Sequence, residues 1–287
     1  MRFLCRSVLG LILCAGLAHA AWAGELDRFA GLSGQLVIAG SEAGLPAVRE
    51  AASRIMAANP AVTLSISTCS SAVALHRVKL GQAQVCLSDR TFDAANLGAA
   101  KLNQIPYAVD PVALAVSPLN PVSDVSLNVA KRLLSGQIRS WSEVGGHADF
   151  VLPMYLEGSE LENRPETIAA GMSVSTQPAM KFIVARNKDT LGYVSVRDLD
   201  SSIKALSLDG VYPDLAAFAR GQYRVYRVLS LVGEASPRPL AQAFMDYLRG
   251  PDGQELLKQA GYVPLAQAPA QPSLMPFDRP DLVSLGR

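Results

Sequence analysis

From residue 34 onwards, short apolar runs and helical spacings take turns along the chain. Gln-Leu-Val-Ile-Ala at 35–39 favours a strand, residues 40–44 form a flexible Gly-Ser-Glu-Ala-Gly turn, and Leu45, Val48, Ala52, Ile55 and Met56 recur on one helical face. Asn59 and Pro60 stop that helix. Residues 62–67 then alternate as a second strand, a second helix is predicted over 72–80 with Gly81 at its end, and residues 83–87 make a third strand leading into Ser88, Asp89 and Arg90. This alternation predicts an α/β fold with right-handed crossovers and a mostly parallel sheet. The loops at 40–44, 68–71 and 88–90 all follow strand ends, where open α/β sheets bind ligands. The first two also open helices, whose unpaired N–H groups attract anions. Ser41, Ser70 and Ser71 each carry two readings there, helix capping and ligand contact.

Further along, residues 106–116 read as a strongly apolar strand interrupted by Pro111, consistent with a crossing into a second domain. A short helix is expected over 129–134, an amphipathic turn over 136–144 with Trp141 packed inward, and a short strand at 150–152. Residues 180–185 fit helix or strand, whereas 191–196 and 203–208 are strand-like and 223–231 is a longer β-rich run. Leu240, Ala243, Phe244 and Leu248 share one helical face after Pro239, and the Gly-Pro-Asp-Gly at 250–253 is expected to break that helix before a last one at 254–259. Beyond Leu265 the Ala-, Gln- and Pro-rich tail has no sustained pattern and predicts weak order.

Composition narrows the function. The 287 residues carry 26 Lys and Arg against 25 Asp and Glu, and 49% are hydrophobic, enough for a real core and too balanced for a polyanion-seeking surface. Aromatics are only 6%, which argues against a nucleic-acid stacking platform. Arg2 and Arg6, an apolar stretch over 7–17 and small residues at 18–23 together read as a signal peptide over 1–23, placing the mature protein in the periplasm. Cys69 and Cys86, the cysteines beyond that segment, are predicted to stay reduced, because the second and third strands flank the first. His76 and His147 lack a metal-site context, so no metal or other cofactor is expected. Ser159 sits in Glu-Gly-Ser-Glu-Leu rather than a nucleophile elbow, and no enzyme activity is predicted.

Several stretches, taken in order, resemble the phosphate-type periplasmic solute-binding proteins of ABC import systems over roughly residues 34–265. They are Leu-Val-Ile-Ala-Gly-Ser at 36–41, the serine loop at 70–71, Ala-Gln-Val-Cys-Leu-Ser-Asp at 83–89, Leu-Ser-Gly-Gln-Ile-Arg-Ser-Trp at 134–141, Ala-Leu-Ser-Leu-Asp-Gly-Val at 205–211 and Gly-Tyr-Val-Pro at 261–264. The resemblance implies a two-lobed periplasmic binding protein fold with a hinged interlobe cleft. Its parts would be the signal peptide 1–23, a first lobe over 24–108 completed by 222–265, a second lobe over 109–221, and the tail 266–287. It further implies a monomer that captures a small solute, phosphate or another oxyanion, and delivers it to an ABC permease. An exported interaction or sensory module, partnered by an envelope sensor and without tight phosphate binding, is the alternative.

By position, Ser41 and Ser71 resemble the family's hydroxyl donors and Asp89 the carboxylate that accepts a proton from hydrogen phosphate, with Ser70 and Ser88 as neighbours in the same loops. In the second lobe, Gly158 and Ser159 match the anion loop, but Glu160 and Leu161 replace its second Gly and its Thr, and Tyr155 stands where the family places an arginine. Tyr155 is then expected either to face the ligand with its ring and hydroxyl or to pack at the lobe edge. Arg90 and Arg186 are the candidates to replace the missing cation, against a reading as solvated surface. Weak binding of inorganic phosphate is the consequence expected of these changes.

Overall fold

A computed structural model describes residues 24–157 and 171–268. Strand β1 (Gly34–Gly40) leads into helix α1 (Leu45–Ala58), β2 (Val62–Thr68) into α2 (Ser71–Lys79), and β3 (Val85–Ser88) into α3 (Ala94–Ala99). The predicted strand, loop and helix order therefore holds through this third of the chain. Strand β4 (Leu102–Val116) follows, then β5 (Asp124–Val125), α4 (Leu127–Leu134), β6 (Leu152–Leu156), β7 (Met172–Val174), α5 (Gln177–Arg186) and β8 (Thr190–Ser195). The rest of the described chain comprises β9 (Lys204–Ala205), β10 (Ser207–Leu208), α6 (Leu215–Ala219), β11 (Tyr226–Glu234), α7 (Pro239–Arg249), α8 (Pro251–Gln259) and β12 (Val263–Pro264).

The main sheet runs β2-β1-β3-β11-β4-β8-β6-β7 and is mixed, not mostly parallel. β1 pairs parallel with β2 and β3, whereas β11 is antiparallel to both β3 and β4, and β4 is antiparallel to β8. The reason is β11, which comes back from late in the chain and inserts between strands that the local pattern alone would place side by side. β4 is one uninterrupted 15-residue strand that includes Pro111, whose lack of an N–H is tolerated within it.

Two apolar cores divide the molecule into lobes. Val112, Leu114, Trp141, Met154 and Leu191 belong to one, and Ile38, Val48, Tyr107, Leu231 and Phe244 to the other. β4 passes from the second of these cores into the first between Ala108 and Val112, and β11 makes the reverse passage between Val225 and Leu229. Paired in register, these strands form the hinge between the lobes.

Local corrections have local causes. The ambiguous segment around 180–185 is helical, with Thr176 accepting from the Ala179 N–H as an N-cap and a proline at its start. The strand expected at 150–152 begins instead at Leu152, and Phe150 is exposed. The break expected at 250–253 falls at Gly250, between α7 and α8, and the last helix starts earlier than expected, so Gly253 lies inside α8, where an added Cβ would fall 2.3 Å from the Tyr247 carbonyl oxygen and α7 and α8 meet at backbone contact. Trp141 is buried as expected, and its indole N–H donates to the Asp189 carbonyl at 3.2 Å. The signal segment and residues 269–287 of the tail lie outside the described residues.

Cys69 and Cys86 are free thiols on one small core beside α2, and burial pushes both thiols up from their ordinary range. Unreduced protein lacking residues 1–23 is expected to take two alkyl labels after unfolding in denaturant and to leave Cys86 unlabelled while folded. Intact mass before and after unfolding checks this, and a disulfide-linked mass with no labels would overturn it.

Candidate functional site

Three strand-end loops converge because β1 lies between β2 and β3. Gly40 permits the approach: its φ is +152°, and an added Cβ would fall 2.1 Å from the Leu87 carbonyl oxygen. The Ser41 N–H donates to that carbonyl at 3.0 Å, and the Cys69 N–H donates to the Gly40 carbonyl at 2.9 Å, so the loops after β1, β2 and β3 are tied to one another. Gly44 is the second necessary glycine. At φ +82° it begins α1 with no room for a side chain, its Cβ position lying 2.1 Å from the Tyr107 hydroxyl.

At this convergence the Ser41 hydroxyl donates to one oxygen of Asp89 at 2.8 Å and the Ser71 hydroxyl donates to the other at 2.6 Å. The Asp89 N–H donates back to the Ser71 Oγ at 3.2 Å. Thus the sequence-predicted trio of Ser41, Ser71 and Asp89 comes together. Their neighbours do not join it. Ser70 caps α2 by accepting from the Val73 N–H, and Ser88 is buried with its hydroxyl donating to the Arg90 carbonyl at 2.8 Å.

The cation at this site is one the sequence pattern did not single out. Arg227, on β11, donates through Nη1 to Asp89 Oδ2 at 3.3 Å and through Nε to Asp110 Oδ2 at 2.8 Å, while its Nη2 stands 2.7 Å from the same Asp110 oxygen. The remaining Asp110 oxygen accepts from the Ser195 hydroxyl on β8. Arg227 is 5% exposed and Asp110 is 0% exposed, so the pair forms a buried ionic link across the hinge, with Arg227 and Asp110 facing one another in the β11–β4 register. Burial works against the guanidinium charge, but Asp110 and Asp89 outweigh it and hold Arg227 protonated. One signal for this was present in the sequence: Asp110, between Val109 and Pro111 in a long apolar run, has to be paired if that run is buried.

Arg227 and Asp110 also form part of the wall of a cavity of ≈ 620 Å³. One side is made by Glu42, Leu45, Pro46 and Arg49 at the start of α1, and the facing side by Gln177, Pro178 and Lys181 at the start of α5, which belong to the opposite lobe. Two helix N-termini, with their positive dipole ends, therefore border one cleft. Arg197 lies along the same wall, its guanidinium carbon 4.6 Å from the centre of the Tyr262 ring and its Nη2 3.6 Å from Asp198. Burial, only partly countered by Arg197, raises the Asp198 carboxyl above the usual carboxylate range.

Of the two readings given for each, Tyr155 takes the packed one, and neither Arg90 nor Arg186 supplies the missing cation. Tyr155 is 2% exposed in the core that also contains Trp141, and its hydroxyl donates to the Leu134 carbonyl at 2.6 Å, so it packs inside the lobe instead of facing the cleft. Arg186 is exposed and stacks 3.9 Å over Phe182, and Arg90 lies 5.7 Å from the centre of the Phe92 ring; neither lines the cavity. Gly158 and Ser159, with the rest of the altered anion loop, lie outside the described residues. Among the described residues, no group of three or more His, Cys, Asp or Glu is placed to hold a metal ion.

A model of the PBP superfamily domain matches residues 30–251. The chain belongs to this superfamily. Among relatives, it is 29% identical over 252 residues to the phosphate-binding protein PstS of Bacillus subtilis, covering 81% of each chain. Phosphate-binding protein PstS 2 of Streptococcus agalactiae matches at 29% over 110 residues, 38% of each chain. Among solved structures, a substrate-binding protein from Clostridium perfringens with bound phosphate superposes at a TM-score of 0.72 and 22% identity, covering 81% of this chain and all of that one, 100%. An ABC-type phosphate transport receptor from Vibrio cholerae gives 0.69 at 20% identity, covering 80% and 100%. As a PBP superfamily member the protein is a noncatalytic, extracytoplasmic binder of a small solute, and the two-lobed fold around a cleft is that of the superfamily.

Proposed function

We propose that this PBP superfamily protein captures a small, protonated oxyanion of the phosphate class and presents it to the permease of an ABC import system. The observation that carries the reading is the Asp89 carboxylate, held by Ser41, Ser71 and Arg227 where the strand-end loops meet. A fully ionised anion placed there meets repulsion from Asp89, whereas one that keeps a proton donates it to the carboxylate. The serine hydroxyls rotate freely enough to turn from Asp89 to a ligand oxygen, and Arg227 adds charge without leaving its pair with Asp110. Names of similar proteins, such as phosphate-binding protein PstS, support the same ligand class.

In this reading residues 24–108 and 222–265 act as one body and 109–221 as the other, closing over the solute by bending at β4 and β11; the cores support the division except at Tyr223 and Val225, which pack with the second lobe. Export through cleavage of 1–23 belongs to this reading. In the alternative, sensory role, a membrane partner binds whether or not the cleft is filled.

Calorimetric titration of protein stripped of co-purified solute tests the ligand class. Phosphate is expected to bind at least tenfold more tightly than sulfate, which at neutral pH has no proton to share with Asp89. Asp89→Asn, by turning a pure acceptor into a mixed donor and acceptor, is expected to narrow or reverse that preference, since a charged hydrogen bond contributes roughly 1.5–3 kcal/mol. Equal affinity for both anions in the unaltered protein would remove Asp89 from the site.

A further inference from the structure

A side-chain contact crosses between the lobes in addition to β4 and β11. Val196–Asp198 form a single 3-10 turn after β8, with Val196 packed beside Ala113 and Ala205 and the Lys181 ammonium of α5 donating to the Asp198 carbonyl at 2.7 Å. These contacts fasten the turn to the lobe that contains Trp141. From it the partly buried Arg197 reaches the other lobe. Its guanidinium carbon stands 4.6 Å from the centre of the Tyr262 ring, its Nη1 donates to the Ala260 carbonyl at 3.5 Å, and a Cβ added at Gly261 would fall 2.9 Å from the Arg197 Cβ. Tyr262 belongs to the core that contains Phe244. A cation held over an aromatic face is attracted to it, the more so where water is partly excluded.

Tyr262 is in turn bonded to the loop that carries Ser41. Its hydroxyl accepts from the Gly44 N–H at 3.0 Å, at the start of α1. One residue earlier the Ala43 N–H donates to Ser41 Oγ at 3.2 Å, and the Ser41 hydroxyl continues to Asp89. A run of contacts thus joins Arg197 in one lobe to the serine and aspartate site in the other. We infer that Arg197 is a positioning residue for the solute site, which through Tyr262 makes the order of the 40–44 loop depend on the angle between the lobes; the inference rests on the oxyanion reading above. Bending at β4 and β11 moves Arg197 relative to Tyr262, because the two side chains stand on opposite sides of the hinge. The hinge angle is then the element that both ends bias, the stacked cation from one side and a solute held at Ser41 from the other. Lys181 does not serve in this way, since its ammonium is committed to the Asp198 carbonyl and to Asp200, each at 2.7 Å and both in its own lobe. Arg197 has only a loose ion pair there, its Nη2 lying 3.6 Å from Asp198.

Inorganic phosphate titration of stripped protein tests this in Arg197→Gln, Arg197→Lys, Tyr262→Phe and the Arg197→Gln/Tyr262→Phe double variant. Arg197→Gln is expected to bind about fivefold more weakly, at the lower end of usual couplings between sites, and Arg197→Lys to stay within about twofold of the unaltered protein because it keeps the cation. Tyr262→Phe keeps the ring and removes the bond to Gly44, so a similar loss is expected, and the double variant is expected to lose about as much as either single one and not the product of the two. Amide hydrogen exchange read by mass spectrometry is expected to be faster at residues 41–45 of Arg197→Gln and unchanged at 50–58 in α1, a pattern that general destabilisation does not give. Phosphate affinity of Arg197→Gln within about twofold of the unaltered protein, or losses that multiply in the double variant, overturns the inference and leaves the oxyanion reading standing. If the unaltered protein binds no phosphate, the oxyanion reading falls, and exchange at 41–45 decides the inference alone, unchanged rates overturning it.

Discussion

Arg227→Met is expected to lose most of the solute affinity and to lower stability by roughly 3–5 kcal/mol, the usual cost of leaving a buried charge without its partner. Asp110 is 0% exposed and takes two guanidinium nitrogens on one oxygen, so removing the arginine leaves an ion that neither water nor another described cation compensates. The Ser195 hydroxyl remains as its neutral partner, which is not enough for a full charge. At the same time Asp89 loses the positive group at 3.3 Å and becomes more repulsive towards any anion. In a chain of this size the destabilisation corresponds to a fall in Tm on the order of 10 °C. Adding Asp110→Asn is expected to restore much of the stability, because the uncompensated charge is gone, without restoring binding. Urea denaturation and calorimetric titration of the single and double variants separate these effects. A loss below about 1 kcal/mol for Arg227→Met would show that the hinge pair contributes little.

Tyr155→Arg is the second change with a large expected effect, and its sign is opposite to the one suggested by the likeness of residues 152–161 to an anion loop. If Tyr155 faced the cleft, an arginine there would strengthen anion binding. In the folded protein its ring is enclosed so closely that a Cβ added at Gly171 would come within 2.2 Å of it, and its hydroxyl is committed to the Leu134 carbonyl. An arginine at this position brings a charge into an apolar core beside Trp141 and Met154, with an expected loss of at least 3 kcal/mol and little folded protein near physiological temperature. Tyr155→Phe, which keeps the ring and removes one hydrogen bond, is expected to cost about 1 kcal/mol and to leave solute affinity unchanged. Thermal unfolding of both variants checks the contrast. A stable Tyr155→Arg protein with tighter phosphate binding would return this residue to the cleft.

The elements of the first lobe were legible because their signals are local. Apolar period, the glycine-rich turn at 40–44 and the stop at Asn59 and Pro60 act within one or two turns of chain, and β1, α1 and β2 appear with boundaries close to those expected. Ser41, Ser71 and Asp89 were legible for a related reason, since loops after neighbouring parallel strands meet at one sheet edge whatever the rest of the chain does. Ser70 and Ser88 share those loops, yet their hydroxyls are taken by nearby backbone groups, a choice set by side-chain direction rather than by position in the motif.

The sequence by itself determined the strand and helix succession, the strand-end serine and aspartate site, and the family to which these belong. Only the tertiary structure decided which cation serves that site and which aromatic does not. Arg227 lies 117 residues from Asp110 and 138 from Asp89, and no periodicity within its own strand indicates that β11 inserts between β3 and β4 and sets it against both. Tyr155 lies on a strand whose central residues are buried on both faces, so alternation along β6 carries no information about which face meets the cleft. Both outcomes depend on strand register and order across the sheet. These are fixed by long-range packing and the pairing of buried charge, to which a local pattern of residues contributes only one partner at a time.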